Sequence, residues 1–251
     1  MSAFAVILAA AGRSSRFGST APRDRKVFRE LKGRAVWLRS AEAFVNREDV
    51  KQMLVVVSLE DEDWFREKFQ PNLAFMEIDV VAGGAERADS VQNALACVRD
   101  DIDFVAVHDA ARPLIVTKWI DAIFAEAERS GAAIPAIPIS STLKRVSGGN
   151  VEETVPRSNL HAAQTPQVFR RDLLLQAYAQ RGELTATDDA QLVEQLGHPV
   201  AVVTGSPLNI KITTQDDLQM ATALLDVLPK DKDLKALHPF ANDRLDWLKK
   251  S

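Results

Sequence analysis

Short apolar runs alternate with amphipathic helical patterns along most of this chain, and this alternation limits the folds that it can adopt. The runs that we predict to be β-strands cover residues 4–8, 53–58, 76–81, 104–107, 132–137 and 200–203. Between the first two runs, Trp37, Leu38, Ala41, Phe44 and Val45 recur with helical spacing. Strands that alternate with helices are typical of βαβ units, so we predict an α/β domain around a mostly parallel sheet.

Similar patterns indicate further helices. They are marked by Val91, Ala94, Leu95 and Val98, by Ile120, Ile123, Phe124 and Ala127, and by Leu173, Leu174, Ala177 and Tyr178. A last helix is predicted after Thr214, because Asp217 three residues later completes a capping box, which is a signal of a helix start.

Composition and charge exclude several classes of protein. With 251 residues, 46% of them hydrophobic, the chain can bury a full core. A net charge of −4 argues against a general nucleic-acid binder, which needs a basic face. The single cysteine, Cys97, excludes an internal disulfide framework. The apolar run at residue 4 is too short to span a membrane and lacks the basic segment of a signal peptide. We expect a cytoplasmic protein with no membrane or nucleic-acid partner.

One polar segment, residues 138–159, interrupts the alternation. It contains two short polar runs, 142–146 and 151–155, that are joined by Gly148, Gly149 and Asn150, the chemistry of a hairpin turn. A two-stranded ribbon is marginally stable alone. We therefore predict a β-hairpin arm that is held by a second subunit; a surface excursion without a partner is the alternative.

The first strand leads into the loop of the stretch AVILAAAGRSSRFG, residues 5–18. Ligands of open parallel sheets bind at the carboxyl ends of the strands, so a nucleotide is expected there. The loop matches neither G-x-x-x-x-G-K-[ST] nor G-x-G-x-x-G, and the absence of the second pattern disfavours a dinucleotide-dependent oxidoreductase. Backbone N–H groups and arginines can still bind phosphates. The basic residues near this loop are Arg13, Arg16, Arg23, Arg25 and Lys26; a solvated loop is the alternative interpretation of the cluster.

Several motifs occur together in a specific order: LAAAGRSSRFG, a following lysine, GGAERADSV, VHDAARP, AAQTPQVF, TDDA and NIKIT. In this the chain resembles the 2-C-methyl-D-erythritol 4-phosphate cytidylyltransferase family of the non-mevalonate isoprenoid route, from about residue 3 to residue 225. The resemblance implies a Rossmann-like, GT-A-like nucleotidyltransferase domain over residues 1–228. It also implies homodimerisation through the arm at about 138–159, and it leaves residues 229–251 as a C-terminal extension.

The resemblance implies that CTP and 2-C-methyl-D-erythritol 4-phosphate form 4-diphosphocytidyl-2-C-methyl-D-erythritol and pyrophosphate. The attacking phosphate monoester is already ionised near neutral pH, so no general base is needed. Charge stabilisation and alignment are needed instead. By resemblance, Arg16, Lys26 and Lys211 are the catalytic cations, and Asp109 holds Mg²⁺. The alternative role for Asp109 is the N-cap of a helix. His108 is expected to be structural, because the four histidines show no metal-ligand spacing.

The resemblance also assigns binding residues. For CTP these are Ala10, Ala11, Gly12, Gly83, Gly84 and Ser90. For the acceptor they are Asp109, Thr142, Arg157 and Thr165. The last three are expected to hold the acceptor phosphate, with Thr142 and Arg157 supplied by the arm of the partner. Taken alone, Ser90 would be interpreted as a residue that packs or caps a helix.

The stretch between Arg16 and Lys26 is longer than the family pattern, so Arg23 and Arg25 compete with Lys26 for the role of the family's lysine. Lys26 is preferred because the run KVF leads into the next apolar segment. We therefore expect Lys26 to be essential and the two arginines to be replaceable.

Two other functions stay open from the sequence. A ribitol 5-phosphate cytidylyltransferase would have a similar CTP site. A nucleotide-binding module without catalysis would lack Lys26, Asp109 or Lys211, and all three are present.

Overall fold

An eight-stranded mixed sheet forms the centre of the protein. The structure, a computed structural model, describes residues 1–12, 14, 17–18, 23–182 and 184–229. The strands are β1 Phe4–Ala9, β2 Glu30–Leu31, β3 Arg34–Ala35, β4 Val50–Val57, β5 Ile78–Ala82, β6 Phe104–Asp109, β7 Ala132–Pro138, β8 Leu143–Ser147, β9 Asn150–Val155, β10 His161–Ala163, β11 Gln167–Arg170 and β12 Ala201–Thr204. All the strands predicted from apolar runs are present, with shifted ends.

The sheet is mostly parallel, as predicted. Its continuous part has the order β5, β4, β1, β6, β11, β7, β10, and β12 pairs with β7 outside this order. The pairs β5–β4, β4–β1 and β1–β6 are parallel, and β12 is parallel to β7. β11 is antiparallel to both β6 and β7, and β10 is antiparallel to β7. Because β11 runs in the opposite direction, its first residues lie at the edge of the sheet where β6 ends.

The central strands are buried on both faces. In β1, Phe4, Val6 and Leu8 contribute to one core, whereas Ala5 and Ile7 contribute to the other. Alternate side chains of a strand point to opposite faces, so a strand covered on both sides needs apolar residues at every position. This is why the sequence shows continuous apolar runs.

Helices cover both faces of the sheet. They are α1 Val36–Val45, α2 Glu62–Phe75, α3 Arg87–Leu95, α4 Thr117–Ser130, α5 Arg171–Ala179, α6 Asp189–Gln195 and α7 Gln215–Leu224. α1, α2 and α4 share the first core, and α3, α5 and α6 share the second. α7 packs against a smaller core that contains Leu114 and Ile212. α2 was not apparent from the sequence, because it buries only Phe65 and Phe69 and contains Pro71.

The predicted hairpin is present as a separate two-stranded sheet of β8 and β9. Its turn is at Gly148 and Gly149, whose φ angles of +55° and +81° lie in the region that favours glycine. Asn150 belongs to β9 rather than to the turn. Val146 lies opposite Val151, and these residues are 59% and 60% exposed, so the arm is not wholly polar.

Some sequence predictions fall outside the described residues. These are the positions of Arg13 and Arg16 and the extension beyond residue 229. Within the described part of the chain, each helix is too short or too polar to cross a bilayer.

Candidate active site

Asp109 is the last residue of β6, at the edge of the sheet where the parallel strands β1, β4 and β6 end. It lies opposite Ala9 at the end of β1 and is 7% exposed. Three cations surround its carboxylate. Lys211 Nζ is 2.9 Å and Arg112 Nε 3.3 Å from Oδ2, and Arg87 Nε is 3.9 Å from Oδ1. Asp109 is not a helix N-cap, because the next helix, α4, begins at Thr117 with Val116 as its N-cap.

These cations determine the charge of Asp109. Burial acts to raise the pKa of the carboxyl, because it removes the charged form from water. Lys211, Arg87 and Arg112 outweigh that effect and hold the pKa of Asp109 far below its usual range. The site therefore contains an ionised carboxylate at physiological pH.

Lys211 reaches Asp109 from an irregular segment that is fixed on both sides. The N–H of Ile212 donates to the carbonyl of Ala111 at 2.8 Å, and Ile212 is fully buried. Arg112 Nη1 donates to the carbonyl of Asn209 at 2.7 Å. The Lys211 side chain itself is 37% exposed. Its backbone is thus held firmly while its ammonium group is accessible to a ligand.

Thr165 lies beside Asp109, and its hydroxyl is already engaged. The N–H of Asp109 donates to Thr165 Oγ1 at 3.0 Å, and Thr165 Oγ1 is 3.0 Å from Nδ1 of His108. His108 Nε2 is 3.1 Å from the carbonyl of Arg112, which can only accept, so Nε2 carries the ring hydrogen. Burial lowers the pKa of His108 to about 4, so the ring is neutral and Nδ1 accepts. The Thr165 hydroxyl therefore donates to His108 and can only accept from a further group.

The segment after β5 comes close to the end of β1. A Cβ on Gly83 would lie 2.8 Å from Cβ of Ala11, and one on Gly84 would lie 2.4 Å from Cβ of Asp89. Ser90 Oγ donates to the carbonyl of Glu86 at 3.0 Å and accepts from the N–H of Gly84 at 3.1 Å. Ser90 thus holds the glycine segment against α3, which is the packing role that the sequence left open. Its contact with CTP stays a prediction.

Lys26 is the first residue of a short 3₁₀ helix, Lys26–Phe28. The two residues after it, Val27 and Phe28, are buried in the core. The N–H of Lys26 donates to Ser14 Oγ at 3.2 Å, which ties it to the loop after β1. The backbone of Lys26 is therefore tied to the loop after β1, and its catalytic role stays a prediction.

Arg87 connects Asp109 to a second buried carboxylate. Its Nη2 donates to Oδ2 of Asp189 at 2.7 Å, and Tyr178 donates to Oδ1 of Asp189 at 2.6 Å. Burial acts to lower the pKa of Arg87, but Asp189 and Asp109 outweigh it and raise that pKa, so the guanidinium stays charged. Arg87 and Arg112 were not predicted as site residues, although they lie inside the motifs GGAERADSV and VHDAARP.

The matching protein-family model is that of 2-C-methyl-D-erythritol 4-phosphate cytidylyltransferase, and the match covers residues 4–227. The chain belongs to this family. A cytidylyltransferase of the same name from Rhodopirellula baltica is 45% identical over 88% of this chain and 93% of that protein. One from Bacillus mycoides is 39% identical over 90% of this chain and its own full length. The crystal structure of a cytidylyltransferase from Thermus thermophilus matches with a TM-score of 0.74 at 33% identity, over 90% of this chain and all of that one.

Membership of the cytidylyltransferase family confirms the resemblance, the fold class and the enzymatic class that the sequence predicted. The structure brings Asp109, Lys211 and Thr165 together. Thr142 and Arg157 lie elsewhere, at the base of the arm, where the Arg157 guanidinium contacts the carbonyl of Ser140. Among the described residues, no hydrogen bond or ion pair joins Thr142 or Arg157 to the Asp109 cluster.

Proposed function

We propose that the residues at the carboxyl end of β6 catalyse transfer of the cytidylyl group of CTP to 2-C-methyl-D-erythritol 4-phosphate, as in the family to which the chain belongs. The observation that carries this proposal is the buried Asp109 carboxylate with Lys211, Arg112 and Arg87 around it. A site for two polyanionic substrates needs positive charge that is already in place, and here it is fixed by the fold.

The chemistry requires charge stabilisation rather than proton transfer. An oxygen of the acceptor phosphate attacks the α-phosphorus of CTP, the bond to the β-phosphate breaks, and pyrophosphate leaves with the bonding electron pair. The attacking oxygen is already ionised, so no residue has to remove a proton. His108 agrees with this, because it is neutral and both of its ring nitrogens are engaged. Lys26, Arg16 and Lys211 are proposed to stabilise the charge that develops on the α-phosphate and on pyrophosphate.

Asp109 is proposed to hold Mg²⁺ together with phosphate oxygens of the substrates, since the described residues contain no cluster of three metal-ligand side chains. Mg²⁺ is usually held by one or two carboxylates together with substrate phosphates, and the cations keep Asp109 ionised. Bound there, Mg²⁺ would draw negative charge from the phosphate oxygens. Before the nucleotide binds, Lys211 serves as the counter-ion of Asp109. The same ammonium group is exposed enough to move toward a phosphate.

CTP is proposed to bind along the loop after β1 and the glycine segment after β5. The backbone lies at the edge of the sheet where β1 and β5 end, in two segments: Ala10, Ala11 and Gly12 after β1, and Gly83 and Gly84 after β5. Close packing of Gly83 against Ala11 leaves no room for a side chain there. The N–H groups of Ala10, Gly83 and Gly84 already donate within the protein. The carbonyls of the glycine segment and the N–H groups of Ala11 and Gly12 are therefore proposed to pair with the polar edge of a base and with ribose.

The acceptor is proposed to bind between Asp109, Thr165 and the arm of a partner subunit. Because the Thr165 hydroxyl can only accept a further hydrogen bond, it suits a hydroxyl group of the sugar alcohol better than a phosphate oxygen. This role differs from the phosphate-binding role that the resemblance implied for Thr165. The phosphate is left to Thr142 and Arg157 of the partner's arm. Exposure of Val146 and Val151 on the arm supports the proposed homodimer. The cytoplasmic location stays a prediction from the sequence.

The decisive experiment is an assay of pyrophosphate release with CTP and each of two acceptors. We expect release with 2-C-methyl-D-erythritol 4-phosphate, and at least about a hundredfold lower kcat/KM with ribitol 5-phosphate, since unpaired polar groups in a specific site penalise the wrong substrate strongly. Faster turnover of ribitol 5-phosphate would assign the other acceptor. Binding of CTP with no release from either acceptor would indicate a nucleotide-binding module without catalysis.

A further inference from the structure

Arg25 has a charged side chain that is almost completely buried, which is unusual for arginine. The residue is 5% exposed. Its Nη1 donates to the carbonyls of Ala11 at 3.4 Å and Gly12 at 3.3 Å, in the loop after β1. Burial of a guanidinium has a large cost unless its charge and its donors are matched. The burial and these contacts disagree with our expectation from the sequence that Arg25 is replaceable.

The counter-charge of Arg25 is Asp61, which is fully buried. Arg25 Nε contacts Asp61 Oδ2, and Asp61 also accepts from Ser58 Oγ at 2.8 Å and from the N–H of Arg23 at 3.0 Å. Glu60 Oε2 is 3.3 Å from Arg25 Nη2, but the Glu60 side chain is 73% exposed, so this ion pair contributes little. Ser58 directly follows β4, so Asp61 is fixed to the end of that strand.

Arg25 therefore joins the end of β1 to the end of β4 and to the segment that begins at Lys26. It also sets the direction of a backbone donor. The Ala11–Gly12 peptide bond is trans, and a trans peptide carries its C=O and N–H in opposite directions. Because Arg25 binds the carbonyl of Ala11, the N–H of Gly12 points away from Arg25.

We propose that Arg25, supported by Asp61, is a positioning residue for the CTP site. It orients the Gly12 N–H toward the nucleotide and fixes Lys26, its neighbour in the chain, relative to the end of β1. Arg25 acts through these groups and does not itself touch substrate. The inference rests on the proposed function, since it assigns Gly12 and Lys26 to CTP.

The test compares Arg25→Ala with Arg23→Ala. Arg23 is the matched control, because it lies two residues earlier, is exposed, and contributes its backbone N–H to Asp61, which alanine retains. We expect Arg25→Ala to lower kcat/KM for CTP about a hundredfold, the scale for a misplacement of about 1 Å. The KM for the acceptor should change little. Arg23→Ala should stay within about twofold of the wild type, since it removes no group that holds the loop.

Two further variants keep the proposal testable if Arg25→Ala unfolds. Arg25→Lys retains the positive charge but loses the planar guanidinium, whose Nη1 and Nε contact the loop and Asp61 at the same time. Asp61→Asn retains the shape of the side chain but loses the negative charge that faces Arg25. Both should raise the Kd for CTP, measured by calorimetry without acceptor. A folded Arg25→Ala or Arg25→Lys protein with kcat/KM for CTP within about twofold of the wild type would overturn the proposal.

Hydrogen exchange of backbone amides tests whether Arg25 positions the loop, independently of whether the protein transfers a cytidylyl group. Amides of segments 10–12 and 26–28 should exchange faster in Arg25→Ala than in the wild type, and at the wild-type rate in Arg23→Ala. Unchanged exchange in Arg25→Ala would contradict the positioning role. If the wild type transferred no cytidylyl group while Arg25→Ala still showed faster exchange and weaker CTP binding, the proposed reaction would fail and the positioning of the nucleotide site would stand.

Discussion

Asp109 has two roles at the scale of a single residue: it balances three cations in the free enzyme and is the proposed metal ligand. Asp109→Asn is nearly isosteric, and Lys211 is exposed enough to turn toward water. We expect the fold to persist and kcat to fall at least about a hundredfold, the scale for losing one preorganised charged group. The fall in kcat is measured as the turnover of CTP at a series of Mg²⁺ concentrations. A thermal melt of the variant measures whether the fold persists. A wild-type rate with unchanged dependence on Mg²⁺ would show that the metal is held elsewhere.

Family motifs in the sequence singled out Asp109 and Lys211, which the structure brings together, and their catalytic roles stay predictions. It could not predict Arg25, because a basic residue in a polar stretch looks solvated until the position of Asp61 is known. It also could not predict that Thr165 only accepts, because this depends on the hydrogen bonds of His108. Such properties arise from contacts between residues that are far apart in the sequence.

At the scale of an element, the start of α7 can be tested through its capping box. Thr214 Oγ1 accepts from the N–H of Asp217 at 3.2 Å, and the Asp217 carboxylate accepts from the N–H groups of Thr213 and Thr214 at 2.7 and 2.8 Å. Burial acts to raise the pKa of Asp217, but these hydrogen bonds and one from the Thr213 hydroxyl outweigh it and lower that pKa. This cap lies three residues after Lys211, so it fixes the backbone that follows Lys211.

A carboxyl with a lowered pKa in the folded state stabilises the fold above its unfolded pKa of about 4 and loses this effect as the pH falls. We expect Asp217→Asn to lower the free energy of unfolding by about 1 kcal/mol at pH 7, the usual size of a cap. This difference should shrink below about pH 4. Asp216→Asn, an exposed neighbour in the same turn, should have little effect. Urea unfolding of the three proteins from acidic to neutral pH measures this, and a difference independent of pH would exclude the carboxylate as the cause.

Strands that form apolar runs were predicted from the sequence, including the four-residue β12, whereas β10 and β11 were not. The strands β1, β4 and β6 extend over six or eight residues, and the apolar runs within them were recognisable by their pattern. β10 and β11 have three and four residues, and their pairing with β7 depends on partners that lie far away in the sequence. The periodicity of the sequence therefore could not predict that β11 inserts antiparallel between β6 and β7 and so brings Thr165 beside Asp109.

At the scale of the whole molecule, the proposed dimer makes a prediction about mixtures of inactive variants. Arg157→Ala has an intact Lys26, and Lys26→Ala has an intact arm. If Arg157 acts on the partner's site, a heterodimer contains one site with both residues, and its activity should return toward half of the wild-type value. Residues that act within one chain would leave both sites broken.

Subunit exchange has to be verified by mass spectrometry before the activity of the mixture is measured. Arg145→Ala is the control for the arm, because Arg145 is exposed and pairs with Glu153 within the hairpin. This variant should be active alone and should complement Lys26→Ala. An inactive mixture of Arg157→Ala and Lys26→Ala with confirmed exchange would show that the arm does not contribute to a shared site.

The place of β11 between β6 and β7 has a consequence for the nascent chain as it leaves the ribosome. By residue 109 the chain contains β1, β4, β5 and β6, which pair with one another in parallel. β7 follows, yet its partners β10, β11 and β12 lie between residues 161 and 204. β7, which is largely buried in the folded protein, therefore cannot pair until these later strands have been synthesised. Thr165 and Lys211 are also translated late. Half of the sheet can thus assemble early, whereas the substrate-binding edge is completed only when nearly the whole domain has been synthesised.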